Sequence, residues 1–443
     1  MMRYSLLVLI VLIFGLTNAF NYQFFHLSDV HYSSAVNSQT YNQSTMCIPP
    51  ALYEEMKKME VDDHHDIIKS TKSSIFNNTA SGLYGRYGCD TNSQLLQSTI
   101  QQMKIINPTP DFIIYTGDSV GHSLPQGLWQ ESQTTFVKTV QSEFSQQDTI
   151  FIPSIGNNDV FPDYNSQCSD QNLQYLTTLW SEWIPSDQVQ NFSISGSLVF
   201  NPVPGLTVIS LNTVLYSVKN TNSFQNAQDP CGQFAWLEYQ LQVARQNNQY
   251  VYIIGHIFPG LDPFYLQTTW KVPFITSFFN ILSNYEDVLK SGFFGHIHRD
   301  EFRSVFISNF TTGYFPMFIG SSITPVYINN PSVKIFSYEA STANVTDFTA
   351  YYADIYISNL LGSMTWKYEY SFVNDYLSTS IGIDGTVLND FVDVMQANDN
   401  IYDAYDDHRT SNYLSDNTVN LCLAQSLTVD SFNDCLNYYA TIS

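Results

Sequence analysis

The chain has 443 residues, 44% of them hydrophobic and 15% aromatic, a composition that excludes global disorder and supports one large domain or two modest ones. Lys and Arg number 17 against 40 Asp and Glu, leaving a formal charge of −23. So acidic a chain gains no counterion-release affinity for nucleic acid, and an anionic membrane repels it until acid pH protonates its carboxylates.

Residues 1–19 read as a secretory signal peptide. Arg3 supplies the positive end, an apolar run covers residues 6–14, and Thr17, Asn18 and Ala19 precede a cleavage point near residue 19. The run falls short of the roughly 20 residues a membrane span needs. The expectation is a mature protein exported through the secretory pathway, secreted or lysosomal. Two further features agree with export. Asn42, Asn77, Asn191, Asn309 and Asn344 each open an N-x-S/T sequon and are expected glycosylation sites. The cysteines Cys47, Cys89, Cys168, Cys231, Cys422 and Cys435 form an even set with no CxxC pair, which in an exported chain reads as disulfides rather than zinc ligands. Their pairing is open on sequence grounds, although Cys422 and Cys435 are close neighbours.

Along the mature chain a strand is expected at 22–28. Residues 32–92 are polar and irregular. Their cluster of Asp62, Asp63, His64, His65 and Asp66 offers metal-ligating types but lies in no apolar frame, and reads as a solvated turn or helix start. Helical spacing then covers 93–106, a buried strand 111–116, a helix 136–144 and a strand 149–155. Strands follow at 206–211, 250–254 and 288–294, with a helix at 234–246. Strands alternating with helices predict an α/β layered core. Residues 388–395 and 413–439 read as helices, so the core domain is placed at 20–355 and a small C-terminal helical subdomain at 356–443.

The chemistry is concentrated at the strand ends. The strands run into Asp29-Val30-His31, Gly117-Asp118, Gly156-Asn157-Asn158-Asp159, Gly255-His256 and Gly295-His296-Ile297-His298. In open α/β sheets that edge is where ligands bind, and the glycines are expected to let the backbone turn sharply there. The oxygen donors Asp29, Asp118 and Asn157 with the imidazoles of His31, His256, His296 and His298 suit two divalent ions of the zinc, manganese or iron class. A lone strand-end histidine is ordinary structure; a series of five such strand ends is not. His26, inside a strand, reads as a packed or supporting residue.

The order D-x-H, G-D, G-N, G-H, G-H-x-H resembles the calcineurin-like metallophosphoesterase superfamily. The opening FHLSDVH, the Gly117-Asp118-Ser119-Val120-Gly121-His122 segment and the Gln233-Phe234-Ala235-Trp236-Leu237 helix start narrow the resemblance to the acid sphingomyelinase-like phosphodiesterases. The Gly255-His256-Ile257-Phe258-Pro259-Gly260 turn, the segment from Gly295-His296-Ile297-His298 through Arg299-Asp300-Glu301-Phe302, and Asn330-Pro331-Ser332-Val333-Lys334-Ile335-Phe336 are similar to that family too. The resemblance covers roughly residues 20–443 and implies a layered metallophosphoesterase β-sandwich flanked by helices.

By that resemblance Asp29, His31, Asp118 and His298 would hold one metal, and Asp118, Asn157, His256 and His296 the other, with Asp118 bridging. A hydroxide between the two ions, expected to be Zn2+, would attack phosphorus in line with the leaving alkoxide. His122 and Asn158 would form the leaving-group side. Here the chain departs from the family, whose G-N-H becomes Gly156-Asn157-Asn158. Asn158 can donate a hydrogen bond but cannot deliver a proton, whereas His122 can. Resemblance and chain order pair Cys47 with Cys89, Cys168 with Cys231, and Cys422 with Cys435. The first strand comes directly after the signal, with no saposin-like domain between, as in the shorter family members. Purple acid phosphatase chemistry is disfavoured because Gly121 stands where a Tyr is required, and protein phosphatases because G-D-x-x-D-R-G is absent.

The expected function is therefore that of an exported phosphodiesterase cleaving sphingomyelin to ceramide and phosphocholine. The alternatives are a nucleotide phosphodiesterase or phosphomonoesterase of the same family, and a weakly active secreted binding protein. Residues 257–282 are strongly apolar and adjoin His256 directly. With Phe161, Phe258, Phe264, Tyr265 and Trp270 they read either as a contact for a lipid tail and, transiently, a membrane surface, or as ordinary core. Oligomeric state is not legible in the sequence.

Overall fold

A computed structural model describes residues 22–36, 82–377, 382–411 and 420–442. The strands are β1 (Tyr22–Leu27), β2 (Phe112–Tyr115), β3 (Ile150–Pro153), β4 (Leu198–Val203), β5 (Leu206–Ser210) and β6 (Tyr250–Ile254). Then come β7 (Leu289–Phe294), β8 (Glu301–Phe306), β9 (Tyr314–Ile319), β10 (Ser332–Tyr338), β11 (Val345–Ala353) and β12 (Trp366–Ser371). They form two six-stranded sheets, ordered β12-β11-β10-β1-β2-β3 and β4-β5-β6-β7-β9-β8. Within them β1, β2 and β3 run parallel to one another, as do β5, β6, β7 and β9.

An aromatic core joins the sheets. Phe24 of β1 stacks on Phe112 and Phe336 at 4.7 and 5.2 Å and meets Phe293 of β7 edge-on at 5.4 Å. Phe318 of β9 meets Phe336 of β10 at 5.2 Å. Such tilted and offset pairs are favoured by the ring quadrupole, beyond the area they bury. Phe112 and Phe318 lie in the near-continuous apolar runs FIIY and YFPMFI, as strands covered on both faces require.

Helices cover the outer faces. On the first sheet α1 (Ser93–Ile106) packs against α2 (Gln126–Glu143). Asn92 caps α1 by accepting the Leu95 N–H, and the helix buries Leu95, Leu96, Ile100 and Met103. The helix expected at 136–144 is the apolar second half of α2; its first half, rich in Gln, Ser and Thr, hides the period. The short helices α3 (Gln171–Leu179) and α4 (Val189–Ser195) come next. On the second sheet α5 (Gln233–Gln246) packs on β5, β6 and α6 (Val272–Leu282).

The expected boundary at residue 355 cuts the first sheet. After α7 (Ile355–Leu361), β12 pairs with β11 and buries Tyr370. Its sequence WKYEYS alternates aromatic and charged residues up to Tyr370, a strand signature. The helical part starts at α8 (Phe372–Tyr376) and continues through α9 (Gly385–Ala397), α10 (Asp399–Arg409), α11 (Asn420–Gln425) and α12 (Val429–Ile442). Helix α9 packs on β8 and β9, and α11 on β8. Residues 413–419 of the helix expected at 413–439 lie outside the described residues, as do the signal peptide, the Asp62 to Asp66 cluster, Asn42, Asn77 and Cys47.

Cys168 is bonded to Cys231, and Cys422 to Cys435. Cys89 is disulfide-bonded as well. The Cys422–Cys435 bridge spans 13 residues and joins α11 to α12. Cys422→Ser/Cys435→Ser is expected to cost about 3 kcal/mol by the chain-entropy relation, read as an earlier denaturant midpoint. Asn309 and Asn344 are exposed and Asn191 is half-buried. No helix among the described residues is long and apolar enough to cross a membrane. Residues 257–282 are mostly core. Phe258, Trp270 and Phe278 are fully buried, and Tyr265, Leu266 and Val272 are the large apolar side chains of the segment that stand exposed.

Candidate metal centre

The parallel strands of both sheets end at one edge of the sandwich, and their C-terminal loops interlock there. Asp29 N donates to Gly117 O, His31 N to Asp118 O and Gly295 N to His256 O, at 2.8–3.0 Å. His296 N donates to both Asp29 carboxylate oxygens at 3.0 and 3.1 Å, tying the two sheets together.

All seven side chains named from sequence meet at this edge. Asp118 Oδ2 lies 3.0 Å from His256 Nε2 and 3.4 Å from His31 Nε2. Asn157 Oδ1 is 2.9 Å and His296 Nδ1 3.3 Å from His256 Nε2. Asp29 Oδ1 is 3.4 Å from His298 Nε2, which is 3.1 Å from His31 Nε2. One group of atoms comes from Asp29, His31 and Asp118, another from Asp118, His256 and His296, each within 4.8 Å. The groups share Asp118.

The ring orientations suit cation binding. His31 Nδ1 donates to Val120 O at 3.0 Å and His256 Nδ1 to Thr116 O at 2.7 Å. Each Nδ1 proton is held by a backbone carbonyl, so each ring turns its Nε2 inward. Lone pairs gathered this closely call for a positive charge among them. Burial opposes charge on Asp118 and His256, yet their mutual attraction prevails: the Asp118 carboxyl is held well below the usual range and the His256 ring is pushed up to about 9. Burial pushes His296 down, and the charge on His256 adds to that. Carboxylate oxygens, an amide oxygen and imidazole nitrogens in this arrangement fit two divalent ions of the zinc class.

The backbone carries unusual strain at these positions. Asp29, His31, Asp118, His296 and His298 have φ of 48, 44, 62, 82 and 57°. Left-handed backbone costs a residue with a Cβ about 1–2 kcal/mol, and such strain concentrates at functional sites. This corrects the expected role of the glycines, since the donor residues themselves make most of the turns. At Gly156 and Gly295 the need is close approach instead. A Cβ on Gly156 would lie 2.1 Å from Asp118 Oδ1, and one on Gly295 2.0 Å from Ser28 Oγ. Gly156→Ala should therefore displace Asp118. The expected result is loss of bound metal, read by elemental analysis of protein that still folds by circular dichroism.

Polar residues behind the cluster hold it. Thr116 Oγ1 donates to Ser28 Oγ at 2.7 Å, and Ser28 Oγ to Asp29 Oδ2 at 2.5 Å; His26 Nε2 contacts the same Thr116 hydroxyl at 2.9 Å. His26 is thus a supporting residue, kept neutral chiefly by burial. Asp159 accepts N–H groups from Gly156, Asp118 and Ser119, each at 2.8 Å, and so staples two loops together. The GNND segment contains it, but nothing in its sequence distinguishes a staple from a donor.

His122 lies beside the cluster, its ring stacked on His31 at 4.0 Å. Asp90 accepts from both its backbone N and its Nδ1 at 2.8 Å. Burial works against a charged ring, but the Asp90 carboxylate outweighs it and raises the pKa. Nε2 faces the Tyr327 hydroxyl at 3.4 Å. Neither Asp90 nor Tyr327 belongs to a segment that stood out in the sequence. Asn158 has a different role from a proton donor. Its Oδ1 accepts from Asn157 Nδ2 and its Nδ2 donates to Asp163 Oδ2, both at 2.8 Å. It thereby turns the Asn157 carbonyl oxygen toward His256.

Comparison with known proteins identifies the family. The profile of the calcineurin-like phosphoesterase family matches residues 22–300. The chain is 53% identical to sphingomyelinase phosphodiesterase D of Dictyostelium discoideum over 446 aligned residues, covering 100% of both chains. It is 30% identical to human cyclic GMP-AMP phosphodiesterase SMPDL3A, over 71% of each chain. It is 28% identical to human acid sphingomyelinase-like phosphodiesterase 3b, over 67% of this chain and 68% of that one. On the family match over residues 22–300 and the similarity along the whole chain, it belongs to the calcineurin-like phosphoesterase family and, within it, to the acid sphingomyelinase-like phosphodiesterases.

Proposed function

We propose that this centre binds two divalent ions, zinc foremost, and hydrolyses a phosphodiester, with sphingomyelin as the substrate. The observation that carries the reading is Asp118, shared between two groups of donor atoms. Asp29, His31 and His298 would complete one position, and Asn157, His256 and His296 the other. When bound, such ions lower the pKa of a water and neutralise phosphoryl oxygens. The protein's own residues do the rest. The carbonyl-anchored rings of His31 and His256 keep their lone pairs turned inward, and Asn158 orients Asn157. His122, with Nδ1 held by Asp90, keeps a proton at Nε2 for the departing alkoxide.

Sphingomyelin is favoured by the full-length similarity to a Dictyostelium sphingomyelinase phosphodiesterase. Exposed Tyr265, Leu266 and Val272 would offer a modest contact for a lipid surface. A second reading, nucleotide hydrolysis, has its own support besides the SMPDL3A relative. The Lys219 ammonium lies 5.2 and 5.6 Å from the ring centroids of Tyr164 and Tyr265, and Tyr164 stands edge-on to His296. A cation and rings beside the centre suit an additional phosphate or a base. Export by the residues 1–19 signal and glycosylation at the five sequons belong to the same reading.

Choline phosphate release from sphingomyelin in mixed micelles, assayed against ATP and CDP-choline at acid and neutral pH, tests the assignment. Sphingomyelin cleavage is the expected result. Efficient nucleotide hydrolysis without it would move the protein to the second reading, and inactivity on every diester would leave a binding protein.

A further inference from the structure

The residues after His298 have no part in the chemistry above, yet they are charged, buried and anchored by several partners each. Arg299 donates from Nη1 to His298 O at 3.2 Å and from Nη2 to Tyr327 O at 3.1 Å. Asp300 accepts from Lys334 Nζ at 2.6 Å and Tyr370 OH at 3.0 Å, and its backbone N donates to Arg409 O at 3.0 Å. Glu301 pairs with Arg303 at 2.7 Å and accepts from Arg409 Nε at 3.0 Å and from its Nη2. All of these charged side chains are buried.

Arg409 is the last residue of α10, and the turn after it reaches a second loop. Thr410 O accepts from Asn330 N at 3.2 Å, and Ser411 O from Asn330 Nδ2 at 2.9 Å. Residues 409–411 are thus wedged between the loop that carries His298 and the loop that carries Tyr327. We infer that this turn is a positioning element of the metal centre, with Arg409 acting through Asp300 and Glu301 on His298. His298 sits in left-handed backbone, which it leaves unless neighbouring contacts hold it there. Arg is suited to the task because its planar fork engages Glu301 and Asp406 together, with Nη1 3.0 Å from Asp406 Oδ1. The C-terminal helices are then part of the catalytic unit, although they supply no group to the reaction.

The inference rests on the two-ion reading, and its test separates the two. Full-length protein loaded with zinc is challenged with a chelator while bound metal is followed over time, alongside melting temperature, kcat and KM. The variants are Arg409→Met, Arg409→Lys and the mild Tyr370→Phe, which removes one hydrogen bond to Asp300. Supporting groups behind metal ligands are typically worth about 10–100-fold in affinity or activity. One of the two ions should leave Arg409→Met about that much faster while the other stays, with kcat reduced and KM little changed. Arg409→Lys should recover part of the loss, and Tyr370→Phe should show a smaller loss from the same position. If Arg409→Met does not fold, the other two variants carry the comparison. Loss of both ions together, in step with melting, overturns the inference, and so do wild-type release rates in folded variants. A wild-type protein without bound zinc overturns the two-ion reading and this inference with it.

Discussion

Asp118→Asn is expected to strip metal from both positions and to lower kcat by on the order of 10³-fold. One carboxylate faces both groups of donors, with Oδ2 3.0 Å from His256 Nε2 and 3.4 Å from His31 Nε2. Oδ1 already accepts the Asn158 backbone N–H at 2.8 Å. An amide keeping its carbonyl on that N–H must turn its NH2 toward the imidazoles. The shared negative charge is then replaced by two donors that repel a cation. Metal assistance supplies several kcal/mol of transition-state stabilisation, and about 4 kcal/mol corresponds to roughly 10³-fold. Elemental analysis together with turnover of bis(p-nitrophenyl) phosphate provides the check. Near-normal metal content and rate in the variant would sink the bridging assignment.

His122→Ala should have the next largest effect, and one that depends on the substrate. General-acid help is typically worth about 10²–10⁴-fold. The loss should be large for alkyl leaving groups, which need a proton, and small for aryl groups, which do not. The pH dependence has a definite sign. Asp90 raises the His122 pKa above its ordinary value, so the ring stays charged and active in acid. Activity then falls as pH rises through that raised value. The stability contributed by the charged pair is likewise complete in acid and fades over the same rise. Asp90→Asn removes the attraction and should move the alkaline limb of kcat/KM to lower pH. An unmoved limb would show that another group delivers the proton.

Much of the donor set was legible because its signal is local. An apolar run of four to six residues with Asp, His or Asn immediately after it states both the strand and what it delivers. Asp118, His256 and His296 each come after a glycine at the end of such a run, and their residue types alone suggest divalent ions. The β12 strand was legible too, in the alternation of WKYEYS, but its few residues lie between helical segments and read as part of a helical tail. The apolar segment 257–282 could not be assigned from sequence. A fully buried Trp270 and an exposed Tyr265 have the same aromatic signature until the packing around them is known.

Residue types and their order therefore determined the α/β class, the donor atoms and the family. Tertiary structure decided how those atoms are held. Asp90, His122 and Tyr327 meet only because separate loops converge at one sheet edge, and contacts of such long sequence separation leave no periodicity to read. Asp159 became a staple for two loops rather than a ligand through where its oxygens point. The left-handed backbone at Asp29, His31, Asp118, His296 and His298 is likewise invisible in residue identity, because an L-residue adopts it only when surrounding contacts offset its cost. Those contacts come from both sheets, as where His296 N donates to the Asp29 carboxylate.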